Sequence, residues 1–191
     1  MSILINKVNT SKLASCPEEL GFGTVFSDHM FTQAYDSGRG WHDARIDSYH
    51  PITLDPAAAV FHYGQEIFEG LKAYRRPDGG INLFRPEANM HRFNRSADRM
   101  MMPAVDEVFH LEALKALINL DREWVPGRKD TSLYIRPTMI ATAAKLGLGA
   151  SSSYLHFIIT GPAGAYFKGG FKPVSVYIAD KLRRAVEGGV G

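Results

Sequence analysis

The chain has 191 residues, of which 45% are hydrophobic, 22% charged and 11% aromatic, a composition that excludes disorder as the main state and predicts a folded, water-soluble protein. Lys and Arg number 22 against 20 Asp and Glu, and this scattered net charge of +2 leaves no footprint for nucleic acid, so no nucleic-acid partner is expected. Cys16 stands alone and excludes an internal disulfide, no apolar run follows a basic start, and no window reaches the roughly 20 apolar residues of a membrane span. The cytoplasm is the expected compartment.

In chain order, residues 21–54 mix aromatic and β-branched side chains around Asp36-Ser37-Gly38-Arg39-Gly40, which predicts two antiparallel strands and a turn. Asp55 followed by Pro56 predicts a helix opening there, carried by Ala57, Ala58 and Ala59 and ending near Tyr63-Gly64. Residues 71–74 and 81–84 flank a turn rich in Pro, Asp and Gly and read as a second hairpin. A helix from Pro86-Glu87 places Met90, Phe93, Ala97 and Met101 on one face, with Pro103 expected to stop it. Arg92, Arg95 and Arg99 share another face, beside His91. A second helix is predicted over 111–124, with Leu114, Leu117, Ile118 and Trp124 inward and Pro126-Gly127 beyond its end.

Strand periodicity over 132–138 sets Leu133 and Ile135 on one face and Tyr134, Arg136 and Thr138 on the other, with Pro137 closing the strand. A nearly continuous apolar strand covers 154–160, and the glycine-rich stretch 161–170 reads as a linker. A further strand is predicted over 173–179, before Gly188-Gly189-Val190-Gly191. Three glycines in the last four residues suit a turn better than a domain's end, so the chain is expected to be the amino-terminal portion of a longer one. The whole is an α+β arrangement of antiparallel hairpins around two helices.

On residue types alone, several readings stay open. Arg92 could grip a phosphate in bidentate fashion, although an ordinary solvated helix face is the simpler reading. Tyr134 and Arg136 project together and suit a carboxylate, or else form a strand pair facing water. The run 61–70 combines aromatics, glycines and ionisable groups, fitting either a substrate wall or core plus turn. Glu69 within it, if buried, would need a partner that no spacing identifies. The seven histidines lie far apart and none forms an i, i+4 pair, so no metal site is expected. No G-x-S-x-G elbow, phosphate-binding loop or dinucleotide fingerprint occurs.

Taken together, a series of short runs resembles the branched-chain amino-acid aminotransferases, pyridoxal-phosphate enzymes of fold type IV. It comprises Gly21-Phe22-Gly23-Thr24-Val25-Phe26-Ser27-Asp28-His29-Met30, Leu54-Asp55-Pro56, His62-Tyr63 with Ile67-Phe68-Glu69-Gly70-Leu71-Lys72-Ala73, and Leu83-Phe84-Arg85-Pro86 through Asn89-Met90 to Arg92. It continues through Trp124-Val125-Pro126, Ser132-Leu133-Tyr134-Ile135-Arg136-Pro137, Gly164-Ala165-Tyr166-Phe167 and the terminal Gly188-Gly189-Val190-Gly191. The Phe-Glu-Gly-Leu-Lys run is more similar to this family than to the D-amino-acid aminotransferases or aminodeoxychorismate lyases.

The resemblance implies a small α+β domain over 1–163, an interdomain loop over 164–172 and the start of a larger cofactor-binding domain over 173–191. It implies reversible amino transfer from leucine, isoleucine or valine to 2-oxoglutarate, with pyridoxal 5′-phosphate as cofactor and a homodimer as the assembly. Arg92 matches the cofactor-phosphate arginine. Phe26, Tyr63, Phe68, Tyr134, Arg136, Leu148 and Tyr166 match substrate-site positions. Of these, Tyr63 and Leu148 are expected to reach the other subunit's site, and Tyr166 to lie on a loop that closes over substrate. The Schiff-base lysine is expected after Gly191, and none of Lys168, Lys172 or Lys181 occupies its position, so the chain alone is expected to be inactive. A non-catalytic dimerising or binding module, or a relative acting on D-amino acids or amines, remains an alternative at this point.

Overall fold

A computed structural model of the chain describes residues 2–165, 172–181, 183, 185 and 187. Its centre is one eight-stranded sheet in the order β1-β3-β2-β8-β7-β5-β6, with β4 also paired to β7. The strands are β1 (Leu4–Ile5), β2 (His29–Asp36), β3 (Gly40–Ser48), β4 (Glu66–Phe68), β5 (Leu71–Arg75), β6 (Ile81–Leu83), β7 (Ser132–Ala141) and β8 (Ser153–Ala163). Every pairing is antiparallel except that of β1 with β3. Both expected hairpins form, through the turn at 37–39 and through the Pro77-Asp78-Gly79 reversal, where Gly79 has φ 82°.

Helices α1 (Ala59–Tyr63), α2 (Pro86–Arg99) and α3 (Glu107–Leu120) complete the domain. Met90, Phe93 and Ala97 of α2 are buried at the predicted spacing. Leu114 and Leu117 of α3 join Phe31, Ile46, Leu133, Ile135 and Ile158 of the sheet in the main core. A second cluster gathers Phe93, Ala97, Met102, Met139 and Tyr154 at the other end of α2. Removing a ring such as Phe93, which is fully buried, would cost about 3–5 kcal/mol.

Several boundaries differ from expectation for definable reasons. Asp55 caps a turn rather than a helix: its carboxylate accepts from Ala57 N, Ala58 then bridges to Ala144, and α1 begins only at Ala59. Helix α2 stops at Arg99, ahead of Pro103, because Met101 takes a left-handed φ of 55°; Met101 is exposed and Met102 turns inward instead. Helix α3 starts four residues early because Asp106 caps it, accepting from Val108 N and Phe109 N. It ends at Leu120, and Trp124 is buried from a separate 3-10 turn over Arg122–Trp124.

Pro137 does not end β7. The strand pairs first with β5 and then with β4, and Pro137 lies where its partner changes, accepting from Glu69 N at 2.9 Å. A strand residue's N and O point to the same side, so the missing N–H faces that break and removes no ladder bond. Residues 161–163, expected in the linker, extend β8 to Ala163 opposite Ser132. The strand predicted over 173–179 is absent: 172–181 pair with nothing among the described residues, and Val176, Tyr177 and Ile178 are exposed. A strand needs a neighbour to satisfy its backbone. No described helix is long and apolar enough to cross a membrane.

The amino-terminal segment is stitched to the core by polar contacts. Asp28 accepts from the Ser11 hydroxyl, from Lys12 N at 2.7 Å and from the Trp124 indole at 2.8 Å. Burial raises its pKa, but these bonds together with the neighbouring His29 outweigh burial and hold it below the usual value. His29 accepts from Val8 N through Nε2 and donates from Nδ1 to Asp121, so its tautomer is set from both sides.

Candidate active site

Strands β7 and β8 build the floor of a cleft of about 190 Å³ lined by Phe22, Gly23, Val25, Phe26, Tyr134, Arg136, Ile159, Thr160 and Gly161. Period-two geometry explains the clustering. Tyr134 and Arg136 share a face of β7, and their register partners on β8 are Gly161 and Ile159. The loop before β2 supplies the aromatic wall: Phe22 meets Tyr134 edge-on at 4.9 Å, and Phe26 stacks on Tyr49 at 5.0 Å. This loop approaches β8 so closely that a Cβ on Gly161 would strike the Val25 carbonyl.

Arg136 is held without a carboxylate. Its Nη2 donates to the Tyr134 hydroxyl at 2.8 Å, and its guanidinium lies 4.3 Å above the Phe68 ring. No acidic group pairs with it among the described residues, so the cleft contains an uncompensated positive charge beside a phenol whose own proton remains available. Gly70 lies beneath Tyr134, where any side chain would collide with the hydroxyl.

A second guanidinium sits on the same short break between β4 and β5. Glu69 is 3% exposed and accepts from Arg92 Nε at 2.5 Å and Nη2 at 2.8 Å, and from Asn89 at 2.8 Å. Burial pushes the Glu69 pKa up, but Arg92 and Asn89 more than reverse this and hold the carboxyl below its usual range; the pairing in turn raises Arg92. Arg92 keeps 63% of its side chain exposed. Phe68, Glu69 and Gly70 are thus consecutive residues that support Arg136, Arg92 and Tyr134 respectively.

The remaining predicted residues lie elsewhere or outside the described set. Tyr63 ends α1 and donates to the Leu146 carbonyl, while Leu148 is 87% exposed in the connection between β7 and β8; neither lines the cleft of its own chain. Tyr166 lies outside the described residues. Sequence reasoning left out Phe22, Gly23, Val25, Thr160, Ile159 and Gly161 as lining groups. The last two were accessible in principle, since they stand opposite Arg136 and Tyr134 once β7 and β8 are paired. Among the described residues no cluster of three or more His, Cys, Asp or Glu could hold a metal ion. Arg92 has the donor set that a phosphate monoester requires, and Arg136 with Tyr134 that of a carboxylate.

The architecture is shared with aminotransferases of fold type IV. The crystal structure of the Escherichia coli branched-chain amino acid aminotransferase superposes with a TM-score of 0.55 at 22% identity, covering 73% of this chain and 41% of that one. The Thermobaculum terrenum enzyme in its PLP form gives 0.55 at 20% identity over 72% of this chain and 41% of its own. No family model matches the chain. By sequence, the chain is homologous to branched-chain-amino-acid aminotransferases. Transaminase 1 of Bacillus subtilis is 54% identical over 92% of this chain and 49% of its own length. Aminotransferase 2 of the same organism is 48% identical over 100% of this chain and 52% of its own length. The chain spans about half the length of the curated relatives it matches.

Proposed function

We propose that this chain forms part of a pyridoxal-phosphate-dependent branched-chain amino-acid aminotransferase. It would act as a homodimer in the cytoplasm, moving an amino group between leucine, isoleucine or valine and 2-oxoglutarate. The observation that carries the reading is the pair of guanidinium groups on one three-residue mount, in a chain 54% identical to a branched-chain-amino-acid transaminase over 92% of its length. When bound, the cofactor supplies an electron sink for the bond changes at the substrate's α-carbon. Arg92 would hold its phosphate.

Arg136 and Tyr134 would receive the distal carboxylate of glutamate or 2-oxoglutarate. Phe22, Phe26, Phe68 and Ile159 would form the apolar wall for a branched side chain. One cleft can serve both because the Phe68 face and the Tyr134 oxygen hold Arg136 in place, so it stays positioned when an apolar substrate brings no carboxylate to it. Tyr63 and Leu148 stand on an exposed face with Phe61 and Leu146, which supports their assignment to the neighbouring subunit's site. Tyr166 would close over substrate. The cofactor's lysine is assigned to no residue of this chain, and the chain alone is proposed to be inactive.

The test is leucine-dependent glutamate formation by the longest product of the reading frame that carries this chain, supplied with pyridoxal phosphate and 2-oxoglutarate. Activity with at least one branched-chain donor is expected. Its absence with all three would end the proposal.

A further inference from the structure

Glu69 is a nearly fully buried carboxylate whose cationic partner is mostly in solvent, an asymmetry that an ordinary surface ion pair lacks. Its two oxygens take the Nε hydrogen and one Nη2 hydrogen of Arg92. Of the five guanidinium donors three then remain, and two of them, one on each Nη, lie side by side along the adjacent Nη1–Nη2 edge. The mount itself is fixed from several sides. Asn89, one turn before Arg92 on α2, donates to Oε2; Gly70 N approaches the same oxygen at 3.3 Å; and Glu69 N is bound to the Pro137 carbonyl.

We propose that Glu69 is the positioning residue for Arg92: by occupying the Nε–Nη2 edge of the guanidinium it fixes the Nη1–Nη2 edge as a preformed receptor for a phosphate monoester. This rests on the reading of Arg92 as the phosphate contact. Two effects of Glu69 on an incoming anion oppose each other. Its negative charge repels, whereas its hold removes the side-chain freedom that a long exposed arginine would otherwise lose on binding. Orientation prevails, because the bidentate pair cancels the carboxylate's charge locally while leaving two parallel donors on the free edge.

The experiment uses the 191-residue chain with inorganic phosphate as probe, following the Arg92 Nε–H resonance and its exchange with water by NMR. In the unmodified chain that hydrogen should exchange far more slowly than the one on exposed Arg95. Exchange at the Arg95 rate overturns the proposal without any ligand or variant. Phosphate should shift Arg92 signals, Arg92→Ala should abolish binding, and Glu69→Gln and Glu69→Ala should each weaken it about fivefold below their melting transitions. A merely structural Glu69 would lower the melting temperature and leave phosphate affinity of the folded chain unchanged, which overturns the proposal. So would tighter binding in Glu69→Gln, since repulsion would then dominate. If Arg92→Ala binds phosphate as well as the parent, it is the assignment of Arg92 that fails instead.

Discussion

Gly70 lies directly under Tyr134, with no room for even a methyl group between its α-carbon and the phenol oxygen. Gly70→Ala must therefore rotate the phenol or shift the break between β4 and β5, and either movement separates Tyr134 from Arg136. We expect a stability loss of about 1–3 kcal/mol by urea denaturation. In the active protein, the fall in kcat/KM should be larger for glutamate than for leucine. Unchanged stability together with unchanged kinetics would show that the close approach is not real.

Arg136→Ala separates the two substrate classes more sharply. Glutamate and 2-oxoglutarate would lose the one cation among the described residues that line the cleft and should drop roughly 10–100-fold in kcat/KM, the worth of a charge-assisted hydrogen bond. Leucine, isoleucine and valine should change by several-fold at most. Steady-state kinetics with both donors decides the matter, and equal losses would remove Arg136 from the carboxylate role.

Acid should loosen the core through two histidines. His110 and His156 lie 4.4 Å apart ring to ring, both rings also contact Phe93, and none of their four ring nitrogens has a hydrogen-bond partner. Burial pushes His110 down to about 4; burial, with His110 adding to it, drives His156 well below 6.5. Because the folded values lie below the unfolded value, the unfolded chain takes up protons first as pH falls. Their stabilisation is complete above about pH 6.5 and is lost progressively below it, on the order of 3 kcal/mol for His110 once the pH reaches its folded value. His42 runs the other way: Asp43 and Asp36 raise it, so its contribution is present in acid and fades as pH rises through the raised value. Melting temperature should fall as pH is lowered from about 7.5 to 4.5, and replacing both His110 and His156 by leucine should flatten that fall. An identical acid limb in the double variant would refute the assignment.

Treating the 191-residue chain with pyridoxal phosphate and borohydride should label no single lysine stoichiometrically. Peptide mapping would show weak, distributed modification. Specific labelling of one site would mean that the cofactor's lysine lies within the chain after all.

The cores of α2 and α3 were legible because Met90, Phe93, Ala97, Leu114 and Leu117 repeat at helical spacing, which local sequence displays directly. The start of α3 was legible too, in Asp106 just ahead of an apolar run, but a reading that began at Leu111 passed over it. Pro137 is different. Whether a proline ends a strand depends on which neighbour faces its missing N–H, and that neighbour changes in mid-strand here. The face shared by Tyr134 and Arg136 followed from a period of two, while the aromatic wall over it comes from a loop more than a hundred residues away. Glu69 could be recognised as needing a partner; that the partner is Arg92 is set by how α2 lies over the break, which no spacing encodes.

Three adjacent positions carrying two cationic centres have an evolutionary consequence. Substitution within residues 68–70 touches a support of Arg136, of Arg92 or of Tyr134 at each position, because Phe68 faces Arg136, Glu69 binds Arg92 and Gly70 underlies Tyr134. Divergence would instead accumulate at Phe22 and Phe26, which reach the cleft from a separate segment and whose ring contacts, with Tyr134 and Tyr49, involve neither Arg92 nor Glu69. A mutational library built there should yield altered selectivity with intact folding, whereas one built on 68–70 should mostly yield inactive protein.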